Sequence, residues 1–291
     1  MILKDFGYKP LDIKFSQGNH SYRLEGLSAP SVSAVIGRKD KDWKGQWMMK
    51  EAGKYIARNI EPGKTYSRTE LDEIVKASKK AYLDKSTQAT DSGSLGHKLI
   101  EESIISGNRL VVADITFPEE QTTYEVRNIY ANWLLWEQMH PGIEYLAVEL
   151  MLADKELWIA GTADLIAIID GQLCLLDWKS SKQWSDDLFL QSSAYKYMLI
   201  KGGVSSDIIR RGVRLDKGVD ADGKIVKDYI PTYRPENDII IPSDYEKDLE
   251  AFKGLKSVDK WVKYINKEHS YLFKAGKSSW YVLNVNKAFN N

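Results

Sequence analysis

Asp164, Asp177 and Lys179 fall within one short stretch, GTADLIAIIDGQLCLLDWKSS, residues 161–181. Two apolar runs, Leu165 to Ile169 and Leu173 to Leu176, flank Asp170 and Gly171, a dipeptide favoured in two-residue hairpin turns. Side chains alternate along a strand, so Asp177 and Lys179 share a face while Trp178 takes the other. With Asp170 and Gly171 as the turn, the antiparallel return sets Asp164 opposite Asp177. Two carboxylates and an ammonium then converge at one end of an apolar hairpin. Burying such charges is costly unless they are paired or hold a metal.

Other elements bring further polar groups to this end. The spacing predicts a helix from Asp91 to Gly107, with His97 and Glu101 one turn apart and Leu99, Ile100 and Ile104 as an apolar stripe. A His and a Glu so placed suit metal coordination, a second layer around it, or a surface ion pair. Ile143 to Leu152 reads as a strand with Leu146, Val148, Leu150 and Leu152 on one face and Glu149 on the other, towards the cleft of Asp164 or paired as a structural carboxylate. Asp187 to Lys201 reads as a helix in which Gln191 and Tyr195 stand amid an apolar stripe, where buried polar groups need partners. Those partners are the lysine, the carboxylates or a nucleic-acid backbone.

The remaining chain supplies scaffold. Residues 11–36 predict a hairpin, turning at Gly18-Asn19, that feeds a short helix. Lys41 to Lys80 reads as several helices forming a helical subdomain, with Lys41, Lys44, Lys50, Lys54 and Arg58 as a solvated face or a nucleic-acid channel wall. Thr122 to His140 is a core-packing helix stopped by Pro141-Gly142. Ile208 to Leu215 and Lys224 to Tyr233 read as strands around a turn at Asp222-Gly223, and Tyr245 to Glu268 as an amphipathic helix. The tail carries Trp280 and Tyr281 near Lys274 and Lys277, which suits stacking and phosphate pairing, or a docked strand.

Composition narrows the classes. With 291 residues and 43% hydrophobic content the chain supports a real core, and one domain is expected: an N-terminal hairpin and helical part to about residue 90, a core from 91 to 240, and a C-terminal helix and tail. Lys plus Arg and Asp plus Glu each total 41, which argues against a passive electrostatic DNA binder. The single cysteine, Cys174, excludes an internal disulfide and any multi-cysteine metal or iron-sulfur site. No stretch approaches the ~18 apolar residues of a membrane span, and no G-x-x-x-x-G-K-[ST] or G-x-S-x-G occurs. The expectation is a cytoplasmic protein without a membrane partner.

In order and spacing the polar groups resemble the RecB-like branch of the PD-(D/E)XK nuclease superfamily. The matching text is G-S-L-G-H around His97, G-T-A-D ending at Asp164, D-W-K-S-S from Asp177, and Q-S-S-A-Y from Gln191 to Tyr195. H-S-Y and P-S-V-S near the N-terminus are similar to the leading segment of phage-type and recombination-type members. Two residues depart from the pattern: Ala163 stands where the superfamily's name has proline, and Ser94 where threonine is commoner. The resemblance implies an α/β (α+β) restriction-endonuclease-like core, a central mixed sheet flanked by helices with an N-terminal helical elaboration. It further implies Asp164, Asp177, His97 and the Trp178 carbonyl as ligands to Mg²⁺ or Mn²⁺, and Lys179 as the residue that orients water or stabilises charge. Gln191 and Tyr195 would steady the site or the DNA backbone, and Glu101 would orient His97. The implied activity is exonucleolytic hydrolysis of DNA from ends or single strands, with a recombination or replication protein as partner. A structure-specific endonuclease and a catalytically silent DNA-binding scaffold are the alternatives.

Overall fold

The computed structural model describes residues 1–16, 21–39, 42–220 and 222–269. The Gly18-Asn19 turn, His20, Lys41, the Lys44 side chain and the tail with Lys274, Lys277, Trp280 and Tyr281 lie outside the described residues. Strands β1 (Ile13–Ser16), β2 (Ser21–Leu24) and β3 (Leu27–Ala29) form a small antiparallel sheet. Helix α1 (Val32–Ile36) follows, its first turn capped by the Ser31 hydroxyl accepting from the Ala34 N–H. Helix α2 (Asp42–Asn59) then leads to α3 (Arg68–Ser106), a single helix of 39 residues.

The expected start of that helix at Asp91 is therefore corrected. Ser67 and Glu70 form a reciprocal capping box, which fixes the N-terminus at Arg68, and the chain runs through Asp91-Ser92-Gly93 without a break. Helix α4 (Glu120–Met139) packs beside α3. Their close approach depends on Gly96, where an added Cβ would lie 2.6 Å from Ile129 Cγ2. Gly96→Val is expected to lower stability by about 1–3 kcal/mol, the usual cost of overpacking. Gly53→Ala in α2, with nothing within 4 Å of its Cβ, serves as the control that keeps or raises the thermal midpoint.

Strands β4 (Glu144–Asp154), β5 (Ile159–Ile169), β6 (Gln172–Lys179), β7 (Ile209–Arg214) and β8 (Asp238–Ile240) form a five-stranded mixed sheet in that order. Within it β6 and β7 run parallel, and α5 (Asp187–Lys201) makes the crossover between them. Helix α6 (Tyr245–Glu268) closes the described chain. One sheet face packs on α5 through Ile166, Leu175, Ala194 and Met198; the other packs on α3 and α4 through Leu165, Leu176, Ile100 and Trp133. The chain is thus α/β, with helices on both faces of a mixed sheet. No helix among the described residues is long and apolar enough to cross a membrane.

Two sequence expectations about strands are overturned. Residues 224–233 contain no strand: one isolated bridge joins Val219 to Ile225, and the partner of β7 is β8 instead. The intervening chain is a series of turns, with Gly223 in the left-handed region at φ 79° and Tyr229 N–H bonded to the Val226 carbonyl. The apolar side chains of β4 also do not share one face. Leu146, Leu150 and Leu152 enter the core against α5, whereas Val148 enters the core against α3 and α4. A register shift between Tyr145 and Ala147 and a left-handed Glu149, φ 44°, break the alternation twice.

Candidate active site

The turn at Asp170 and Gly171 has φ 52° and 78°, both left-handed, as a tight hairpin turn of the primed type requires. From it the β5–β6 ladder runs back as far as Leu165 opposite Leu176 and stops. Beyond that pair β5 continues against β4 alone, and β6 against β7 as far as Lys179 opposite Arg214. The two arms fork, and Asp164 and Asp177 stand at the fork one position past the last pair. The expected cross-strand pair is replaced by a closer link, in which the Trp178 N–H donates to Asp164 Oδ2 at 2.7 Å. The Trp178 ring turns away into the core and meets Trp136 edge-on, centroids 4.9 Å apart.

Glu149 comes from the neighbouring strand. Val148 pairs with Leu165 and Leu150 with Ala163, while Glu149 and Asp164 between them form no ladder pair. The left-handed backbone of Glu149 swings its carboxylate to the fork. His97 arrives from α3, and one ligand atom each from His97, Glu149 and Asp164 lies within 4.8 Å of the others. The His97 Nδ1 to Asp164 Oδ2 distance is 3.9 Å. Glu149, which the sequence left either facing the cleft or structural, therefore takes a place beside His97 and Asp164. Asp177 sits slightly apart, with its Oδ2 2.6 Å from Lys179 Nζ. Asp177 is buried, and the Lys179 ammonium is the charge this oxygen faces.

Lys179 is held from two sides. Its ammonium also donates to Gln191 Oε1 at 3.0 Å, and the Gln191 amide donates to the Tyr195 hydroxyl at 3.3 Å. Gln191 and Tyr195 thus form a polar chain ending at the lysine, one helical turn apart on α5 as their spacing predicted. The Tyr195 ring packs on Gly161, where a Cβ would lie 2.6 Å from its Cε1. Glu101 lies one turn beyond His97 on α3, half-buried, and its charge acts on Glu149.

Two further residues escaped the sequence reading. Tyr22 of β2 shares a 2.8 Å hydrogen bond with Thr162, two positions before Asp164 on β5. Burial pushes the Tyr22 hydroxyl pKa up, and the charges of Glu149 and Asp164 add to the rise. The signal was present in the quoted H-S-Y and G-T-A-D, because a period of two puts Thr162 in the same alternation as Asp164.

Burial dominates the electrostatics of the cluster. Burial raises both Asp164 and Asp177 to about 6, against the opposing pull of Lys179. Burial, then Asp164 and Glu101, raises Glu149 to about 8. Burial also pushes His97 down to about 4, so its imidazole is neutral with a lone pair to offer. Burial opposes the charge on Lys179, yet Asp177 and Asp164 outweigh it and raise its pKa.

These carboxyls bind protons more tightly folded than unfolded. Their contribution to stability is full below about pH 4 and is lost as pH climbs through about 6 and then about 8. In chelator the thermal midpoint is expected to fall across that interval. Mn²⁺, which takes the ionised forms, should raise the midpoint more at about pH 8 than at about pH 5. A midpoint independent of both pH and metal would contradict this reading.

The donor set of carboxylate oxygens with one imidazole, and the buried Asp177 oxygen beside it, fits a hard divalent ion such as Mg²⁺ or Mn²⁺. No protein-family model matches the chain, and no curated protein matches it.

Proposed function

We propose that the chain is a divalent-metal-dependent deoxyribonuclease of the PD-(D/E)XK kind, hydrolysing phosphodiester bonds from DNA ends. One observation carries the proposal. At the fork of β5 and β6, three carboxyls and a neutral imidazole gather beside one lysine that is itself anchored by Asp177 and Gln191.

His97, Glu149, Asp164 and Asp177 would hold Mg²⁺ or Mn²⁺, and the Trp178 carbonyl lies on the same strand segment. A divalent ion so held supplies Lewis acidity and lowers the pKa of a bound water. Lys179 places an ammonium at the rim of the carboxylate cluster, where it positions the attacking water and offsets charge that builds on the phosphate in the transition state. Asp177 and Gln191 keep that ammonium charged and aimed, and Tyr195 fixes the Gln191 amide. Asp164, oriented by the Trp178 N–H, presents its carboxylate to the same point. The departing oxygen takes its proton from solvent.

The exonuclease form is preferred because the histidine-bearing motif G-S-L-G-H resembles that of family members that degrade DNA from ends. A DNA recombination, repair or replication protein would be its partner. The test is digestion of end-labelled linear DNA beside covalently closed circles, single- and double-stranded, with Mg²⁺ or Mn²⁺. Loss of linear DNA alone is expected; equal loss of circles would replace the exonuclease with a structure-specific endonuclease.

A further inference from the structure

A cavity of about 580 Å³ opens between the helical subdomain and the loops that follow β6 and β7. Trp47, Glu51 and Tyr55 of α2 line it with Ser180, Asp216 and Lys217 of the loops, and cations and carboxylates stand around it in equal number. Lys54 reaches across it, 2.5 Å from Asp222, and ties α2 to the loop after β7. The candidate active site accounts for none of these groups.

Lys217 is the most constrained of them. It is 7% exposed, its ammonium donates to Ser92 Oγ at 2.9 Å, and Glu125 Oε2 lies 3.5 Å away. Ser92 in turn donates to Glu125 at 2.5 Å, and Gln121 donates to the other carboxylate oxygen at 2.6 Å. Burial lowers the Lys217 pKa, with Glu125 opposing the change. A buried ion pair seldom increases stability over an apolar pair of the same shape. Its place on a cavity wall gives the cation a use.

Gly93 locates this group relative to the acidic cluster. A Cβ built there would lie 2.8 Å from Ser180 Oγ and 4.0 Å from Lys217 Nζ, so hydroxyl and ammonium meet over the same helical residue. Gly93 precedes His97 by four residues on α3, one turn and about 6 Å of rise. Ser180 directly follows Lys179. The Lys217 charge is also felt at His97, whose pKa it helps to lower. An extended strand with its scissile phosphate at the fork would carry its next phosphate towards Gly93, and its bases towards Trp47 and Tyr55.

We propose that Lys217 and Ser180 form a phosphate subsite for the nucleotide adjoining the scissile bond, and that the cavity receives the strand on that side of the cut. The subsite rests on the nuclease reading above. Glu125 holds the ammonium in place before the strand arrives, and Gly93 leaves room for the Ser180 hydroxyl against the helix.

The experiment uses Lys217→Met, and Lys217→Met with Glu125→Gln so that no buried carboxylate is left unpaired. Binding of a fluorescein-labelled single-stranded oligonucleotide is followed by anisotropy in chelator over a range of KCl. Both variants should bind about tenfold more weakly or worse, the loss expected for a charged hydrogen bond. The slope of log affinity against log salt should flatten by about 0.7, one phosphate contact fewer on a single strand. An unchanged slope would assign Lys217 to structure alone and overturn the subsite.

With metal, kcat/KM should fall at least tenfold further for the oligonucleotide than for bis(p-nitrophenyl) phosphate, which has no neighbouring phosphate. Equal losses on both would also overturn it. If the wild-type chain hydrolyses neither substrate, the nuclease reading is what fails, and the salt slope still decides whether Lys217 binds a phosphate.

Discussion

On the proposed nuclease function, Lys179→Ala is expected to lower DNA hydrolysis by about 10²–10³-fold or more, as when a single donor to transition-state charge is removed. The size follows from its position. The ammonium is 2.6 Å from Asp177 and bonded to Gln191. Alanine leaves the buried Asp177 with no counter-ion, so the thermal midpoint should also drop, most of all at alkaline pH where that carboxyl is ionised. The effects separate in the presence of Mn²⁺, which restores the midpoint but not the rate. Single-turnover hydrolysis and melting curves on the same preparation check both. Gln191→Ala is milder, because Asp177 still holds the lysine; its fall should stay within about tenfold.

Asp164→Asn gives the opposite pairing of stability and activity. The asparagine carbonyl oxygen can still accept from the Trp178 N–H, so the fork keeps its shape. One negative charge leaves a cluster in which burial has already raised Asp164 to about 6 and Glu149 to about 8. The metal-free protein should therefore melt higher than wild type at about pH 8, and by less at about pH 5, where the wild-type carboxyl is largely protonated. The metal loses an oxygen ligand, so the rise in midpoint produced by Mn²⁺ shrinks and hydrolysis falls by about 10²-fold or more. A variant that is more stable without metal and inactive with it is the signature of a functional carboxylate. Lower stability at every pH would instead make Asp164 a structural acceptor.

How far these residues were legible in the chain differs by element. Asp170-Gly171 announced the hairpin because two successive left-handed residues leave few other choices. Its register then placed Asp164 and Asp177 at one end, although the fork itself lay beyond reach: where a ladder stops depends on β4 and β7, which pull the arms apart. Gln191 and Tyr195 were found through helical spacing, and their link to Lys179 followed from the parallel crossover that lays α5 over β6. Glu149 was underrated. Simple alternation makes it the outward residue of a regular strand, and its left-handed backbone, the feature that turns it to the site, has no mark in a non-glycine residue. The start of α3 was misplaced because Asp91-Ser92-Gly93 reads as a helix opening; in the fold that glycine lies inside the helix and admits Ser180 against it. Tyr22 and Lys217 lie far from the site in sequence and approach it by tertiary packing alone.

The most direct test of the central claim is release of labelled nucleotide from linear DNA by the wild-type chain with Mg²⁺ or Mn²⁺, repeated after chelation. Hydrolysis with the ion and none without it is the result expected of His97, Glu149, Asp164 and Asp177 acting as one metal site. No hydrolysis with either ion, or hydrolysis that survives chelation, would contradict it.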